Sequence, residues 1–524
     1  MAAVRSSVSA SVWIAVATLG AVGAAAAIHA LGWQPAFLLT PAAAAIVLAA
    51  LFWFRAAEGL AALLLLSLFG LTVERWLRVD LRLLEEATTA LFLVVGVRRY
   101  GIPNGRLRIG FREVALLVVA ALGLVSSALN GVPATIALPA LVLLFKAVAI
   151  FYIVSWLPLT LGDVLRVGRV IVAVAVVVTI LGFVEFVSPV AFQRGFALPP
   201  FTSVRGELTV IKSLFLHPAI LAWFSVFAAL FLYAQVIVRH RWWLLPIAFL
   251  LNVGTILAGR RTSVVGLAVA LLVAILWQWP TSVARATRLR TVLPMAAGIV
   301  IVFVAFFSPL SNLAELTLDE YATPPQVVAQ IFGPDPDPDA IAAVPPRTAL
   351  YVASVAVARD HFPLGAGLGR FGSQMSRAEY SPLYARYGLT KIPGIARGDS
   401  GSVTDTFWPM VLAETGVIGL LAYAAFIVSL IALLWRIASR AASGPERAFA
   451  LGVLLVMVES VIASLTAQTY AAPPIAYLVF ATAGAAISVD ATSHLAGDAR
   501  GEGSGTGGTG EEGGTGRSSE TPGT

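Results

Sequence analysis

The sequence predicts an all-α, polytopic membrane protein with about 12–14 transmembrane helices and one large extracytoplasmic loop. Its composition is 59% hydrophobic and only 12% charged, whereas a typical soluble domain has about 25% charged residues. The mean hydropathy of +0.88 agrees with this. Apolar runs of about 20 residues, the length that crosses a bilayer core, recur along almost the whole chain.

Charge and cysteine content exclude several classes of function. The net charge is +7, but the basic residues lie in short loops between apolar runs, where the positive-inside rule explains them. We therefore expect no nucleic-acid partner. The chain has no cysteine, which excludes disulfides and cysteine-ligated metals. No cluster of histidine and acidic residues has metal-ligand spacing, so we expect neither a metal nor a cofactor.

The apolar runs divide the chain into four parts. Residues 1–310 hold the first eleven predicted spans with short loops, and 311–407 form the large loop. Residues 408–489 hold the last three spans, and the Gly-, Thr- and Glu-rich tail at 490–524 is predicted to be disordered. The predicted spans, of which the fourth is unusually short, lie near 11–30, 36–54, 57–73, 85–97, 112–130, 134–157, 167–188, 216–237, 242–258, 262–279, 292–309, 408–435, 447–468 and 471–488.

The distribution of arginine orients these spans in the cytoplasmic membrane. If the N-terminus is cytoplasmic, every cytoplasmic loop is basic, as the positive-inside rule requires. An even number of spans then places both termini in the cytoplasm and the large loop outside. The arginines of the predicted cytoplasmic loops are Arg55, Arg98, Arg99, Arg106, Arg108, Arg112, Arg166, Arg169, Arg239, Arg241, Arg285, Arg288, Arg290, Arg436, Arg440 and Arg447.

Four other arginines lie near the predicted outer membrane surface, against this trend: Arg205, Arg260, Arg261 and Arg347. Arginine offers permanently charged, bidentate donors that match phosphate oxygens. One interpretation is therefore a pocket that binds an anion such as pyrophosphate. The alternative is that each arginine is an interface anchor, with its stem on apolar surface and its head group in water.

Short motifs accompany these arginines in a fixed order. Val204-Arg205-Gly206 precedes His217-Pro218, which opens a predicted helix, and Arg260-Arg261-Thr262-Ser263 forms an outer turn between two spans. The large loop then has helical spacing at 347–360, followed by the run His361-Phe-Pro-Leu-Gly-Ala-Gly-Leu-Gly-Arg-Phe371. The loop ends at Asp405, nine positions before Glu414-Thr-Gly-Val-Ile-Gly419.

This succession, over roughly residues 200–420, resembles the bacterial O-antigen ligase and O-antigen polymerase family. These are integral membrane glycosyltransferases whose glycan donors are linked to polyprenyl pyrophosphates such as undecaprenyl pyrophosphate. The family combines an Arg-Gly…His/Asn-Pro pattern, a Ser-Arg-like turn, a Pro-x-Gly-x-Gly-x-Gly-x-Phe loop and a polar residue nine positions before Glu-x-Gly-x-x-Gly. Ligases typically have histidine where this chain has Asp405, whereas many polymerase-like members have aspartate, which favours a polymerase and leaves a ligase open.

The resemblance implies a metal-independent glycosyltransferase of cell-surface polysaccharide assembly. Its donor would be a polyprenyl-pyrophosphate-linked glycan, transferred onto a sugar hydroxyl at the outer face of the cytoplasmic membrane. Membrane lipids and other polysaccharide assembly proteins are the expected partners. The alternatives are a polysaccharide or lipid-linked glycan transporter or flippase, and a non-catalytic assembly scaffold.

Asp405 is the candidate catalytic residue. A sugar hydroxyl is a weak nucleophile and benefits from a general base, and Asp405 precedes a span at the membrane surface. Aspartate is also a favoured helix N-cap, so base and cap are both open interpretations. His217 and His361 are the next candidates for a base, although we expect His217 to support the start of its helix and His361 to be a loop residue.

Three further charged residues lie in or near the predicted spans. Lys146 and Glu185 are candidates for a functional role or for reaching toward the interface, because charges inside a membrane are costly. Glu414 is expected to cap or complement the start of its helix.

Overall fold

The computed structural model describes residues 45–77, 82–101, 109–198, 204–205, 208–278 and 344–503. Over these residues the chain is helical apart from two paired strands of two residues each. Eight of the described helices are long and apolar enough to cross a membrane. The prediction of an all-α, multi-pass membrane protein is therefore confirmed. The total of 12–14 spans and the location of the large loop outside the cytoplasm stay predictions.

The described helices before the large loop correspond to the predicted spans from 36–54 to 262–279, with the short helix α7 in addition. They are α1 (Ala45–Phe54), α2 (Ala56–Leu77), α3 (Arg82–Tyr100), α4 (Phe111–Leu129), α5 (Ala134–Trp156), α6 (Leu161–Val187), α7 (Pro189–Gly195), α8 (Pro218–Arg239), α9 (Leu245–Leu257) and α10 (Arg261–Gln278).

Between α7 and α8, β1 (Val204–Arg205) pairs antiparallel with β2 (Leu208–Thr209). The predicted spans 11–30 and 292–309 lie outside the described residues, as do the start of span 36–54, residues 311–343 and the tail from 504.

Capping side chains fix where several helices begin. Thr160 accepts a hydrogen bond from the backbone N–H of Asp163, and the Asp163 side chain accepts from the Thr160 backbone. Ser443 and Glu446 make the same reciprocal arrangement at the start of a later helix. Each pair satisfies backbone N–H groups that have no partner within the helix.

The second half of the large loop is a compact helical unit, residues 344–407, termed the cap. It contains α11 (Pro346–Asp360), α12 (Gln374–Ala378), α13 (Pro382–Arg386) and 3-10 turns at Leu389–Lys391 and Gly401–Thr404. The helix predicted at 347–360 is thereby confirmed. The cap has a hydrophobic core of its own, and the helix that follows the cap adds Ala413 to this core. The cap residues in the core include Leu350, Ala353, Val357, Phe371, Leu383, Tyr384, Leu389, Ile392, Ile395 and Val403.

Three helices follow the cap, and the last is longer than predicted. They are α14 (Trp408–Arg440), α15 (Gly444–Ala463) and α16 (Ile475–Gly503). The helix extends beyond residue 490 to Gly503; the disorder predicted for the tail stays a prediction. The helix continues because Thr492 donates to the carbonyl of Leu159 and Ser493 contacts the Glu446 carboxylate, which ties the extension to the bundle.

Polar contacts sort the helix ends onto two opposite faces of the bundle. At the end that carries the cap, termed the cap face, Arg260 contacts Thr466 and Tyr351 contacts Leu465. At the opposite end, Arg166 pairs with Glu58 and Trp277 donates to Ser439. Successive long helices therefore run in opposite directions between the two faces. This alternation agrees with the order of the predicted spans.

We expect the cap face to be extracytoplasmic. Ala378 on the cap and Ala442 on the opposite face are both exposed, and this chain has no native cysteine. In intact cells an impermeant maleimide should label Ala378→Cys and should label Ala442→Cys only after the membrane is permeabilised. The reverse pattern would contradict the orientation.

Candidate active site

Asp405 lies at the end of the 3-10 turn Gly401–Thr404, and its backbone N–H donates to the carbonyl of Ser402 at 3.0 Å. The N-cap of α14 is Phe407, which makes no side-chain capping bond. The interpretation of Asp405 as a helix cap is therefore wrong. Its carboxylate Oδ2 instead accepts from Nη2 of Arg347 at 3.2 Å.

Arg347 reaches Asp405 from the first turn of α11. Pro345 and Pro346 start this helix, and proline suits a first turn because its missing N–H has no helical partner there. The Arg347 side chain is 18% exposed and that of Asp405 is 34% exposed. The pair is thus half-buried and still accessible from the cap face.

Arg260 approaches the same region from the turn between α9 and α10. Its Nη2 donates to the backbone carbonyl of Thr466 at 2.7 Å. The hydroxyl of Thr466 in turn donates to Thr262 at 2.9 Å. Arg261 is the first residue of α10, whereas the contact with Thr466 is made by Arg260.

The segment Ser464–Thr466, between α15 and α16, joins these residues. Ser464 accepts from the backbone of Phe407 at 3.3 Å and from the indole of Trp408 at 2.8 Å. The carbonyl of Leu465 accepts from the hydroxyl of Tyr351 at 2.9 Å. Sequence reasoning missed this segment, although a polar run between two apolar helices was a readable signal.

Three helices begin around this segment: α10 at Arg261, α11 at Pro346 and α14 at Trp408. Each helix N-terminus carries about half a positive charge from aligned peptide dipoles. Together with Arg260 and Arg347 they make the region electropositive. Glu459 of α15, which sequence reasoning also missed, is fully buried and interacts electrostatically with Arg260. The positive groups of this region are thus partly balanced by two carboxylates, those of Asp405 and Glu459.

The fourth predicted arginine, Arg205, has its backbone in β1, and its side chain lies outside the described part of the structure. After the hairpin, the N–H of Ile211 donates to the carbonyl of Leu257 at 3.1 Å. Leu257 ends α9, shortly before Arg260. The backbone after the hairpin therefore reaches the end of α9 at the cap face.

The two histidines occupy other positions. His217 is the N-cap of α8, and its Nδ1 accepts from the N–H of Ala219 at 3.1 Å, which confirms the expected helix-start role. His361 follows the C-terminus of α11, where its Nδ1 lies 3.0 Å from the carbonyl of Val357. A helix rises about 1.5 Å per residue, so about 20 Å separates His361 from the Arg347 end of α11.

The glycine-rich loop after His361 binds the carboxylate of Glu414, a residue of α14. The N–H of Ala366 donates to the carbonyl of Ala413 at 2.8 Å, and the N–H of Phe371 donates to Oε1 of Glu414 at 3.0 Å. Glu414 thus contacts this loop, and the expectation that it caps the start of its own helix is wrong. The backbone N–H groups here bind a side chain of the same chain, which gives the loop a structural role.

Two glycines permit this close packing. Gly416 interrupts α14 with φ of 72°, in the left-handed region, and a Cβ there would collide with the carbonyl oxygen of Pro363. Gly365 has φ of 78°, and its Cβ would lie 2.6 Å from the Gly416 nitrogen. Ser126 and Asn130 at the end of α4 donate to the Gly365 carbonyl at 2.6 and 3.1 Å. The cap is therefore anchored to both α4 and α14.

Glu414→Ala should loosen the cap. The buried N–H of Phe371 would lose its acceptor, and each such group costs about 1–3 kcal/mol. We expect faster proteolysis within 344–407 and a lower thermal midpoint in detergent. Glu379→Ala, at an exposed acid on the same cap, is the control and should leave both unchanged. Equal stability of the two variants would contradict the assigned role of Glu414.

The charges predicted in the spans have partners away from this region. Nζ of Lys146 lies 2.6 Å from Oε1 of Glu86. Glu185 accepts from the backbone N–H groups of Lys212 and Ser213 at 2.8 and 2.6 Å. Such pairing lowers the cost of burying a charge. Within the described ranges, no group of three or more histidine or acidic side chains has a metal-binding arrangement.

No protein-family model matches this sequence, and no curated protein matches it.

Proposed function

We propose that this protein is a membrane glycosyltransferase of cell-surface polysaccharide assembly. It transfers or polymerises a glycan from a polyprenyl-pyrophosphate donor onto a sugar hydroxyl at the outer face of the cytoplasmic membrane. The observation that carries the proposal is the Arg347–Asp405 ion pair at one end of the helix bundle, with Arg260 bonded to Thr466 at the same end.

The arginines supply what a pyrophosphate leaving group needs. In glycosyl transfer the bond between the anomeric carbon and the phosphate oxygen breaks, and negative charge grows on that oxygen. Arg260 and Arg347, with the three helix N-termini at the same end of the bundle, are the fixed positive groups that would stabilise this charge. Because these groups do not have to reorganise during the reaction, they stabilise the developing charge more than water molecules would.

Asp405 takes the proton. The acceptor hydroxyl oxygen attacks the anomeric carbon, its proton passes to the Asp405 carboxylate, and polyprenyl pyrophosphate leaves. Arg347 orients this carboxylate through the 3.2 Å contact. Arg347 therefore acts on both sides of the reaction, as a partner of the base and as a donor to the pyrophosphate.

A transporter or flippase is the alternative. Transporters bind their substrate near the middle of the membrane, often between internal repeats. The residues gathered here lie instead at the helix ends, beside a folded cap. This position favours chemistry at a membrane surface.

Deletion of the gene tests the proposal. Loss of the transferase should reduce long surface polysaccharide and leave lipid-linked precursors that an impermeant, glycan-oxidising reagent can reach in intact cells. Loss of a flippase should leave the precursors protected from that reagent. An unchanged polysaccharide profile with no precursor accumulation would contradict both.

A further inference from the structure

One flank of α11 is apolar although it faces outward. The cap otherwise hides its large apolar side chains in its own core. Within residues 344–407, the large hydrophobic side chains left exposed are Val355 at 61% and Phe362 at 72%. Leu465, whose backbone carbonyl accepts from the hydroxyl of Tyr351, is 43% exposed. An apolar surface left exposed beside a helix bundle indicates contact with another apolar group.

The row begins inside α11 and continues past its end. Tyr351 and Val355 are four residues apart and share one side of α11, and Phe362 follows two residues after the helix ends at Asp360. Arg347 precedes Tyr351 by four residues and begins the same row. The opposite side of α11 packs into the cap through Leu350, Ala353 and Val357.

The apolar end of this row reaches an exposed apolar surface of the bundle. The backbone of Pro363, directly after Phe362, touches Gly416 of α14. Beyond Gly416, α14 exposes Val417, Ile418 and Leu421 along a helix long and apolar enough to cross a membrane. The row therefore runs about 20 Å, at about 1.5 Å per residue, from this surface to the Arg347–Asp405 pair.

We propose that this flank of α11 holds the isoprenoid chain of the donor, with its pyrophosphate at Arg347 and Arg260. The inference rests on the proposed function and names the substrate contact of the same site. A cationic end joined to an apolar row matches a lipid whose anionic head carries one long hydrocarbon chain. A phospholipid of the bulk membrane also carries a phosphate, but it has two acyl chains rather than one and no pyrophosphate.

Photo-crosslinking tests this placement. p-Benzoylphenylalanine is introduced singly at Val355 and at Phe362 in the full chain. The controls are Ala356, about 100° around the helix from Val355, and the exposed cap residue Ala378. Purified protein in phospholipid nanodiscs receives a polyprenyl-pyrophosphoryl monosaccharide, and adducts are identified by mass after irradiation.

We expect the mass of the polyprenyl probe on the Val355 and Phe362 variants and its absence from both controls. Adding Arg347→Gln should cause loss of the polyprenyl adduct. Adducts with phospholipid alone at Val355 and Phe362, or equal polyprenyl adducts at Ala356, would overturn the inference. Each variant is used only if its thermal midpoint matches that of the parent protein. The photoreactive residue is also introduced at Leu465, whose carbonyl accepts from Tyr351 of the row.

The outcome separates the inference from the proposed function. Probe binding that depends on Arg347, without adducts at Val355, Phe362 or Leu465, refutes the α11 placement and leaves the transferase proposal intact. No binding of the probe to the parent protein refutes the donor assignment itself.

Discussion

Replacing Asp405 by asparagine should abolish glycan transfer while the protein still folds. General base catalysis contributes about 10²–10⁴-fold to a rate, and an amide cannot take the proton. The carbonyl oxygen of the introduced amide can still accept from Arg347. Because Asp405 does not cap α14 either, we expect the variant to fold without the negative charge. The measurement is initial transfer rate with saturating donor, together with the thermal midpoint.

Glu379→Gln is the matched control for this change, because it also removes one acid from the cap, at an exposed position away from the site. We expect its transfer rate to equal that of the parent protein. If Asp405→Asn keeps near-normal transfer, the base lies elsewhere and the contact with Arg347 is structural.

The second large effect concerns the arginines. Arg347→Lys and Arg260→Lys keep the charge but lose the fork that makes paired bonds to phosphate. Hydrogen bonds to charged groups contribute about 1.5–3 kcal/mol each, so each change should weaken donor affinity by about tenfold to a hundredfold, at about 1.4 kcal/mol per factor of ten. Binding of a polyprenyl-pyrophosphoryl monosaccharide to purified protein measures this.

Arg359→Lys provides the control on the same helix. Its side chain is 81% exposed and lies near the C-terminal end of α11. Donor affinity of this variant should not change. Full affinity in the Arg347 and Arg260 variants would mean that these arginines are interface anchors.

The helices could be predicted because the bilayer imposes a simple rule. A spanning helix needs a long apolar run, and the runs at 112–130 and 134–157 correspond closely to α4 and α5. The cap helix α11 was visible from the spacing of apolar residues at 347–360. The continuation of α16 was not, because it depends on contacts with Leu159 and Glu446 rather than on hydropathy.

The site was predictable only in part. Sequence order suggested that Arg347 and Asp405 belong together, and the structure joins them directly. The sequence could not show that Thr466, about two hundred residues after Arg260, supplies the contact that positions this arginine. The partner of the glycine-rich loop could not be predicted either, because only the fold shows that the N–H of Phe371 donates to Glu414.

The most direct test is transfer by the purified protein. Lipid-linked precursor extracted from cells that lack the gene is added to the protein in nanodiscs, and released polyprenyl pyrophosphate and lengthened or transferred glycan are quantified. The account predicts release of polyprenyl pyrophosphate in step with new glycosidic linkages, and neither product with Asp405→Asn. Absence of both products with the parent protein, or equal release with Asp405→Asn, would contradict it.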